Sequence, residues 1–353
     1  MNFSNETKYE NFLTHIEISV LLGTFTLALF GNLIVIILLY LTKLRQCDSR
    51  MSRLSFYIVH LSTSDIIVAL FSILPQIFWR YYKIFNFSQI ACKLVVFGQL
   101  FSVYGSTLAL ILMAHDRFKS VYKIDSNWSR KKGLLSIMTT WSISFFLALP
   151  QVFVFKIQPL PIGNKFIETC SAKWNSKKLE AFYVAFHLVF QFMIPLILLV
   201  YFYSNIFMVL SNFRKNRGKN TERDKDVFKI RKSDSNLNEN DKNEFEECNK
   251  WYKSTLSKSK KDALILTFVI VATFVVCGLP FYSSLLVRLI FEEFYSKSNI
   301  IILSVLNLLF QLNSCANPII YLIFNRKIYK YFKSPKRELT NANSLLSSAE
   351  IAY

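Results

Sequence analysis

Seven apolar runs alternate with polar segments along the chain, at about 16–41, 54–78, 93–115, 134–155, 182–209, 262–289 and 300–324. A helix covers the bilayer core with roughly 20 apolar residues, so each run is long enough to span it. Ile16–Leu41 carries no charge after Glu17, and Leu134–Phe155 and Ala263–Val287 carry none at all. The second run is interrupted by Asp65, and the seventh is rich in Asn and Ser. Helices of a water-soluble core show a polar face and average about 11–12 residues, which these runs do not. After the seventh run, Phe324, Ile328 and Phe332 recur every four residues with Lys and Arg between them, and Pro335 ends the pattern. That spacing predicts a short basic amphipathic helix lying on a membrane surface.

The expected fold is therefore an all-α membrane protein. A seven-transmembrane helix bundle occupies 16–324, after an N-terminal segment 1–15 and before an amphipathic helix and tail in 325–353. The one long polar insert, 211–261, holds 15 basic and 9 acidic residues. It has too little apolar surface to offset its chain entropy, so it reads as a largely disordered loop whose ends extend the fifth and sixth helices.

Composition sharpens this picture. Of 353 residues, 52% are hydrophobic and 34 are Phe, yet the net charge is +19. That much Phe excludes a disordered, collagen-like or small disulfide-rich chain, and is foreign to a soluble nucleic-acid binder. The charge instead orients the bundle. With the N-terminus outside, 31 of the 42 Lys+Arg fall in inner segments and 10 in outer ones. The short inner loops 42–53 and 117–133 carry 4 and 6 cations, against 1 in residues 1–16 and 2 in 79–91. This bias predicts a multi-pass plasma-membrane protein with the N-terminus outside and the C-terminus in the cytoplasm. The basic inner segments would also anchor on anionic lipid.

Three glycosylation sequons, at Asn2, Asn5 and Asn86, fall on the outer side, and Asn127-Trp128-Ser129 falls inside. Cys92 and Cys170 both face an oxidising compartment, which permits a bridge, whereas Cys277 and Cys315 lie within spans. The four His are scattered, and neither a His-Glu-x-x-His motif nor a paired-Asp motif is present, so no enzymatic activity is expected.

The polar residues inside the spans carry a resemblance. Asn313-Ser314-Cys315-Ala316-Asn317-Pro318-Ile319-Ile320-Tyr321 matches the NPxxY signature of the rhodopsin-like (class A) G protein-coupled receptors. Asp116-Arg117-Phe118 stands where that family has Asp-Arg-Tyr. Gly31-Asn32, Leu61 and Asp65, Trp141, Pro195 and Tyr203, and Phe274 and Pro280 follow in the family's order, one set per remaining span. Leu74-Pro75-Gln76-Ile77-Phe78-Trp79 and Ala148-Leu149-Pro150-Gln151 resemble the vasopressin/oxytocin-type receptors. Phe192-Met193-Ile194-Pro195 looks more like the gonadotropin-releasing-hormone and adipokinetic-hormone branch, so the chain resembles the combined neuropeptide-receptor group.

The resemblance implies a neuropeptide as ligand and a heterotrimeric G protein as partner, with arrestin as a further one. It implies a Cys92–Cys170 disulfide, and signalling roles for Asp116, Arg117, Tyr203, Phe274, Pro280, Asn317, Pro318 and Tyr321. Arg117 would pair with Asp116 at rest. The acid that locks it to helix six in many members is here replaced by Lys260, which should loosen the resting state. The family's sodium ion, a negative modulator of the active state, would sit on Asp65, Ser106 and Asn313. The residues alone allow a second reading, a hydrogen-bonded polar knot without an ion. No other cofactor is implied.

Gln99 occupies the position at which amine receptors of this fold carry an Asp. Gln76, Gln99, Gln151 and Gln191 sit near the outer halves of spans two to five, where a ring of neutral donors and acceptors suits peptide amides or a terminal carboxamide. Alternatively these side chains bond one another. Val96 stands where a vasopressin-type receptor would have Lys. Where the family has Cys-Trp-x-Pro, this chain reads Cys277-Gly278-Leu279-Pro280. Gly278 leaves the space of an indole open, and either Phe281 or a span-three residue fills it or coupling to Phe274 differs. Two other readings remain beside the peptide receptor. A chemosensory receptor for small molecules shares the fold, and a transporter or channel is disfavoured by the lack of inverted repeats.

Overall fold

The computed structural model describes residues 3–45, 52–82, 88–122, 128–162, 165–209, 264–287, 290 and 305–324. The insert 211–261, the segment after Phe324, Lys260, Asn2 and Asn86 lie outside these residues. Among those described, seven helices are long and apolar enough to cross a membrane. They are α1 (Phe3–Arg45), α2 (Arg53–Tyr82), α3 (Gln89–Val121), α4 (Arg130–Val154), α5 (Lys177–Val209), α6 (Leu264–Val287) and α7 (Val305–Phe324).

The helices mostly outrun the apolar stretches. α1 begins at Phe3, well before the apolar run that starts at about 16. No Pro or Gly stands between Phe3 and His15 to stop the helix, and backbone bonding within it is local. Asn5 falls in this first part of α1, where side chains are not described. The starts of four helices are set by one device. Ser52, Ser88, Ser129 and Ser176 have extended backbones, and each hydroxyl accepts from the N–H three residues on. Such a cap satisfies a donor that the first helical turn leaves over.

Two helices carry a π-turn, at Ala69–Ile73 in α2 and Val189–Met193 in α5. Each ends two residues before a proline, Pro75 and Pro195. The proline ring would clash with the carbonyl four residues back, and the wider turn moves that carbonyl aside. α4 is broken at Leu149-Pro150 and restarts as Gln151–Val154. α7 is interrupted by a turn at Leu312.

One element departs from the all-helical expectation. Strands β1 (Phe155–Ile162) and β2 (Lys165–Ala172) pair antiparallel between α4 and α5, with Ile157 opposite Cys170. Pro159 and Pro161 make β1 read as loop, and they are tolerated because a two-stranded ribbon has a free edge.

The bundle turns its polar residues inward. α1 buries Leu21, Thr24, Ala28, Asn32, Val35 and Leu39, a single helical stripe. Its other faces expose Leu27, Phe30, Leu33, Ile34 and Ile37. In water that would be an aggregation surface, and in lipid it is the solvated one. Hydroxyls within the helices bond back to the preceding turn, as Thr24 does to the Val20 carbonyl at 2.7 Å and Ser144 to that of Thr140 at 2.8 Å. α1 packs on α2 and α7, and α3 lies against both α2 and α4. Gly31 permits the α1–α7 approach, since a Cβ there would meet Pro318 Cγ at 2.9 Å.

Candidate functional site

The polar residues of the spans form three groups along the bundle: a cavity near the β-hairpin, a knot at mid-height, and an ion-paired end opposite the hairpin. A cavity of about 210 Å³ opens between α2, α3, α4, α5, α6 and α7. Gln76, Gln99, Gln151 and Gln191 all line it, so the four Gln expected from the sequence do converge. Asn307 and Gln311 of α7, which sequence reading missed, join them, as does Asn313, expected instead at the cation site. No ionisable side chain lines this cavity among the described residues.

Helix irregularities aim these amides. Gln76 follows the α2 π-turn, Gln191 lies inside that of α5, Gln151 opens the restart after Pro150, and Gln311 and Asn313 flank the break at Leu312. Gln76 Oε1 accepts from Gln311 Nε2 at 2.6 Å and from Asn307 Nδ2 at 3.3 Å. The acceptor oxygens Gln151 Oε1, Gln311 Oε1 and Asn313 Oδ1 are buried without a hydrogen-bond partner among the described residues. The amides are therefore only partly satisfied by one another. A buried unpaired carbonyl favours a ligand that donates N–H groups.

The hairpin covers this end of α3. Cys92 and Cys170 form a disulfide with their Cα atoms 5.6 Å apart, and Gln89 Oε1 accepts from the Ile157 N–H at 2.9 Å. Val96 packs beside the disulfide with Trp79, Phe155 and Ile157, so the position expected to carry Lys belongs to this apolar cluster. At the base of the hairpin, Lys173 lies close enough to Lys156 to lower the latter's ammonium pKa through like-charge repulsion. An ion pair missed by the sequence joins α1 to α2, where Arg80 Nε lies 3.3 Å from Glu17. His187 is not isolated either: Nδ1 lies 2.8 Å from the Tyr104 hydroxyl, and its ring packs 4.3 Å from that of Tyr183.

At mid-height Asp65 is fully buried. Ser106 Oγ donates to its Oδ1 and Asn317 Nδ2 to its Oδ2, each at 2.7 Å. Asn32 Nδ2 ties α1 to the Ser314 carbonyl at 3.0 Å. Of the expected cation ligands, Ser106 meets Asp65 directly. Asn313 makes no described bond to it, and Asn317 takes that place. Even so, a carboxylate, a hydroxyl and the unpartnered Asn313 Oδ1 are the hard oxygen donors that a small cation requires.

At the opposite end, Asp116 and Arg117 form the expected pair, and both are buried. Arg53 of α2 also bonds Asp116, through Nε, a contact that no motif announced. The Arg53 guanidinium lies 5.8 Å from the centre of the Trp128 ring. Tyr203 packs edge-on to Phe268 at 5.8 Å, and Tyr321 is buried between α7 and the core.

Between the cavity and this end lies an aromatic joint. Phe192 of α5 stacks on Tyr282 of α6 at 4.5 Å and 18°, and approaches Phe274 at 6.0 Å. The space beside Gly278 is filled by these rings: a Cβ on Gly278 would meet Phe192 Cε2 at 3.2 Å and Tyr282 Cδ2 at 3.6 Å. The expectation of Phe281 or a span-three residue is thus corrected. Phe281 instead stacks on Phe310 of α7 at 5.4 Å, on the side of the bundle that lines the cavity. The Cβ side of Gly278 faces α5, whose Phe192 ring already occupies the space.

The sequence profile of the 7 transmembrane receptor (rhodopsin family) matches residues 31–321. An octopressin receptor of Octopus vulgaris is 30% identical over 339 residues, 91% of this chain and 78% of the relative. Cephalotocin receptor 2 of the same animal is 29% identical over 320 residues, 89% of this chain and 70% of the relative. A mesotocin receptor of Rhinella marina is 27% identical over 321 residues, 89% and 75% of the two chains.

Proposed function

The chain belongs to the rhodopsin family of seven-transmembrane receptors, and from that premise we propose that it is a G protein-coupled receptor activated by a neuropeptide of the oxytocin/vasopressin kind. The ligand class rests on one observation above all. Among the described residues, seven carboxamide side chains and no ionisable one surround the cavity, and three of their buried oxygens lack donors. A peptide backbone or a terminal carboxamide supplies N–H groups without a charge, which this lining answers. A primary amine or a carboxylate would enter without a counter-charge.

The direction of signalling follows from orientation. The excess of Lys and Arg in the short loops 42–53 and 117–133 supports a cytoplasmic Asp116–Arg117 end and a cell-surface cavity, with the N-terminus outside. Peptide in the cavity favours the arrangement in which Arg117 leaves Asp116 and meets a heterotrimeric G protein, and arrestin would compete for the same opened end. A ligand moves this equilibrium only by its differential affinity for the two arrangements. Asp65, Ser106 and Asn313 would hold a sodium ion in the resting arrangement, and ion and peptide then oppose one another through the bundle. Anionic lipid would surround the basic cytoplasmic rim.

The test is a screen of amidated neuropeptides of this class on cells expressing the receptor, reading calcium and cyclic AMP. A hit whose response is lost in both Gln99→Ala and Arg117→Ala supports the reading. A response that survives Arg117→Ala sinks the coupling role, and one that survives Gln99→Ala at full potency moves the ligand elsewhere.

A further inference from the structure

We propose that a second cavity, at the Asp116–Arg117 end of the bundle, is a binding site for a phosphate monoester, with a lipid headgroup of the inner leaflet as its source. The side of the membrane rests on the receptor reading, and the site itself is built by the residues around it. The cavity holds about 100 Å³ between α2, α3, the start of α4 and Trp128. Pockets for drug-sized ligands run to roughly 300–1,000 Å³, so this one suits a small group and not a peptide segment.

The lining is cationic. Arg53, Lys119 and Lys132 reach the cavity from α2, α3 and α4, and Asp116 is the one carboxylate among the described lining residues. Three cations against one carboxylate leave a net charge of +2. Asp116 is also bonded by Arg117, so little of its charge is left for the two lysines. Lys119 is part-buried and has no ion pair among the described residues. A phosphate monoester carries about −1.5 to −2 at neutral pH and three strong acceptor oxygens, which match this lining in charge and in donors. A carboxylate or a phosphate diester brings a single charge. Neutral donors complete the wall. Trp128 Nε1 lies 3.5 Å from the Tyr57 hydroxyl, too far for a strong bond, and both residues line the cavity.

The start of α4 is an independent sign. Arg130, Lys131 and Lys132 fill its first turn, which holds no acid. A helix N-terminus is the positive end of the dipole, where cations are disfavoured and an anion is favoured. An anion in the cavity relieves that repulsion together with the repulsion among Arg53, Lys119 and Lys132 around one small space. The surroundings fit a lipid source. Leu134, Leu135 and Met138 of α4 follow Lys132 and are exposed, an apolar face for acyl chains beside the cations. Anionic headgroups of the inner leaflet lie at that height.

The experiment counts adducts on the purified full-length receptor by native mass spectrometry. Short-chain phosphatidylinositol bisphosphate, phosphatidylserine and inorganic phosphate are the probes. The bisphosphate should bind about tenfold more tightly than phosphatidylserine. Lys132→Gln and Lys119→Gln should each weaken bisphosphate binding about tenfold, the loss of one charge-assisted contact. Lys131→Gln removes the same charge from a neighbouring exposed residue that does not line the cavity, and should change binding by less than about twofold. The melting temperature of each variant without lipid monitors its fold.

A bisphosphate adduct that excess inorganic phosphate does not displace assigns the site to the lipid, which is the expected result. Displacement by inorganic phosphate assigns the same site to a soluble phosphate. Equal losses in Lys131→Gln and Lys132→Gln, or equal binding of the bisphosphate and phosphatidylserine, would mean diffuse attraction to a basic rim and overturn the proposal. None of these readouts needs a G protein. Loss of the site with Gα recruitment intact leaves the receptor reading standing, and selective binding without any recruitment keeps the site while the receptor reading fails.

Discussion

Arg53 offers a sharp test of how the resting state is held. Asp116 is 1% exposed at its side chain and is shared by Arg117 and Arg53, the latter 18% exposed. When Arg117 leaves, Arg53 keeps the carboxylate paired in a nearly dry site. Replace Arg53 by Met, which retains much of the stem volume, and the departure of Arg117 leaves a buried charge alone. Removing one partner from a buried pair costs about 3–5 kcal/mol. Arg53 is partly wetted, and the stranded carboxylate can relax towards water, so about 2 kcal/mol is a fair figure here. At 1.36 kcal/mol per decade this is roughly a thirtyfold smaller active fraction.

We predict that Arg53→Met lowers ligand-free Gα recruitment by about that factor. Asp116→Asn should raise it, since the amide releases Arg117. In the Asp116→Asn background Arg53→Met should do almost nothing, because Arg53 acts only through the carboxylate. A rise in basal recruitment with Arg53→Met, or an equal fall in both backgrounds, would refute the reasoning. Arg53 would then be an anchor for Trp128 and no more.

Three further outcomes follow from the site. Gln76→Ala takes the shared acceptor from Gln311 and Asn307, and peptide potency in a calcium assay should fall about tenfold, whereas unchanged potency would exclude Gln76 from the site. Purified receptor should melt at a higher temperature in sodium chloride than in the choline salt, and Asp65→Asn should abolish the difference; a difference that persists in Asp65→Asn would rule out that carboxylate as the ion's ligand. Cys170→Ser frees the hairpin from Cys92, 78 residues earlier, and should reduce surface peptide binding more than it reduces folded receptor seen by an epitope tag. Equal losses in both would make the disulfide a folding brace only.

The sequence alone determined the seven spans and the inventory of polar residues inside them, and its loop charges carry the expected direction. Apolar length and loop charge are summed along the chain, and lipid admits few alternatives to a helix once the length is met. It also named the four Gln, polar residues out of place in apolar spans, while the resemblance supplied the Asp116–Arg117 pair and the Cys92–Cys170 disulfide. What it could not determine is who meets whom across the bundle. Arg53 reads as one more loop cation, and only the approach of α2 to α3 makes it a partner of Asp116. Asn317, rather than Asn313, bonds Asp65, a choice made by how α7 docks against α2. The prolines were visible in the sequence, but the π-turns that precede two of them were not, since these depend on how a helix relaxes against its neighbours. The turn in α5 holds both Gln191, which lines the cavity, and Phe192, which packs on Gly278. The gap left by a missing indole was legible in the sequence, whereas the ring that closes it was chosen by packing between helices far apart in the chain.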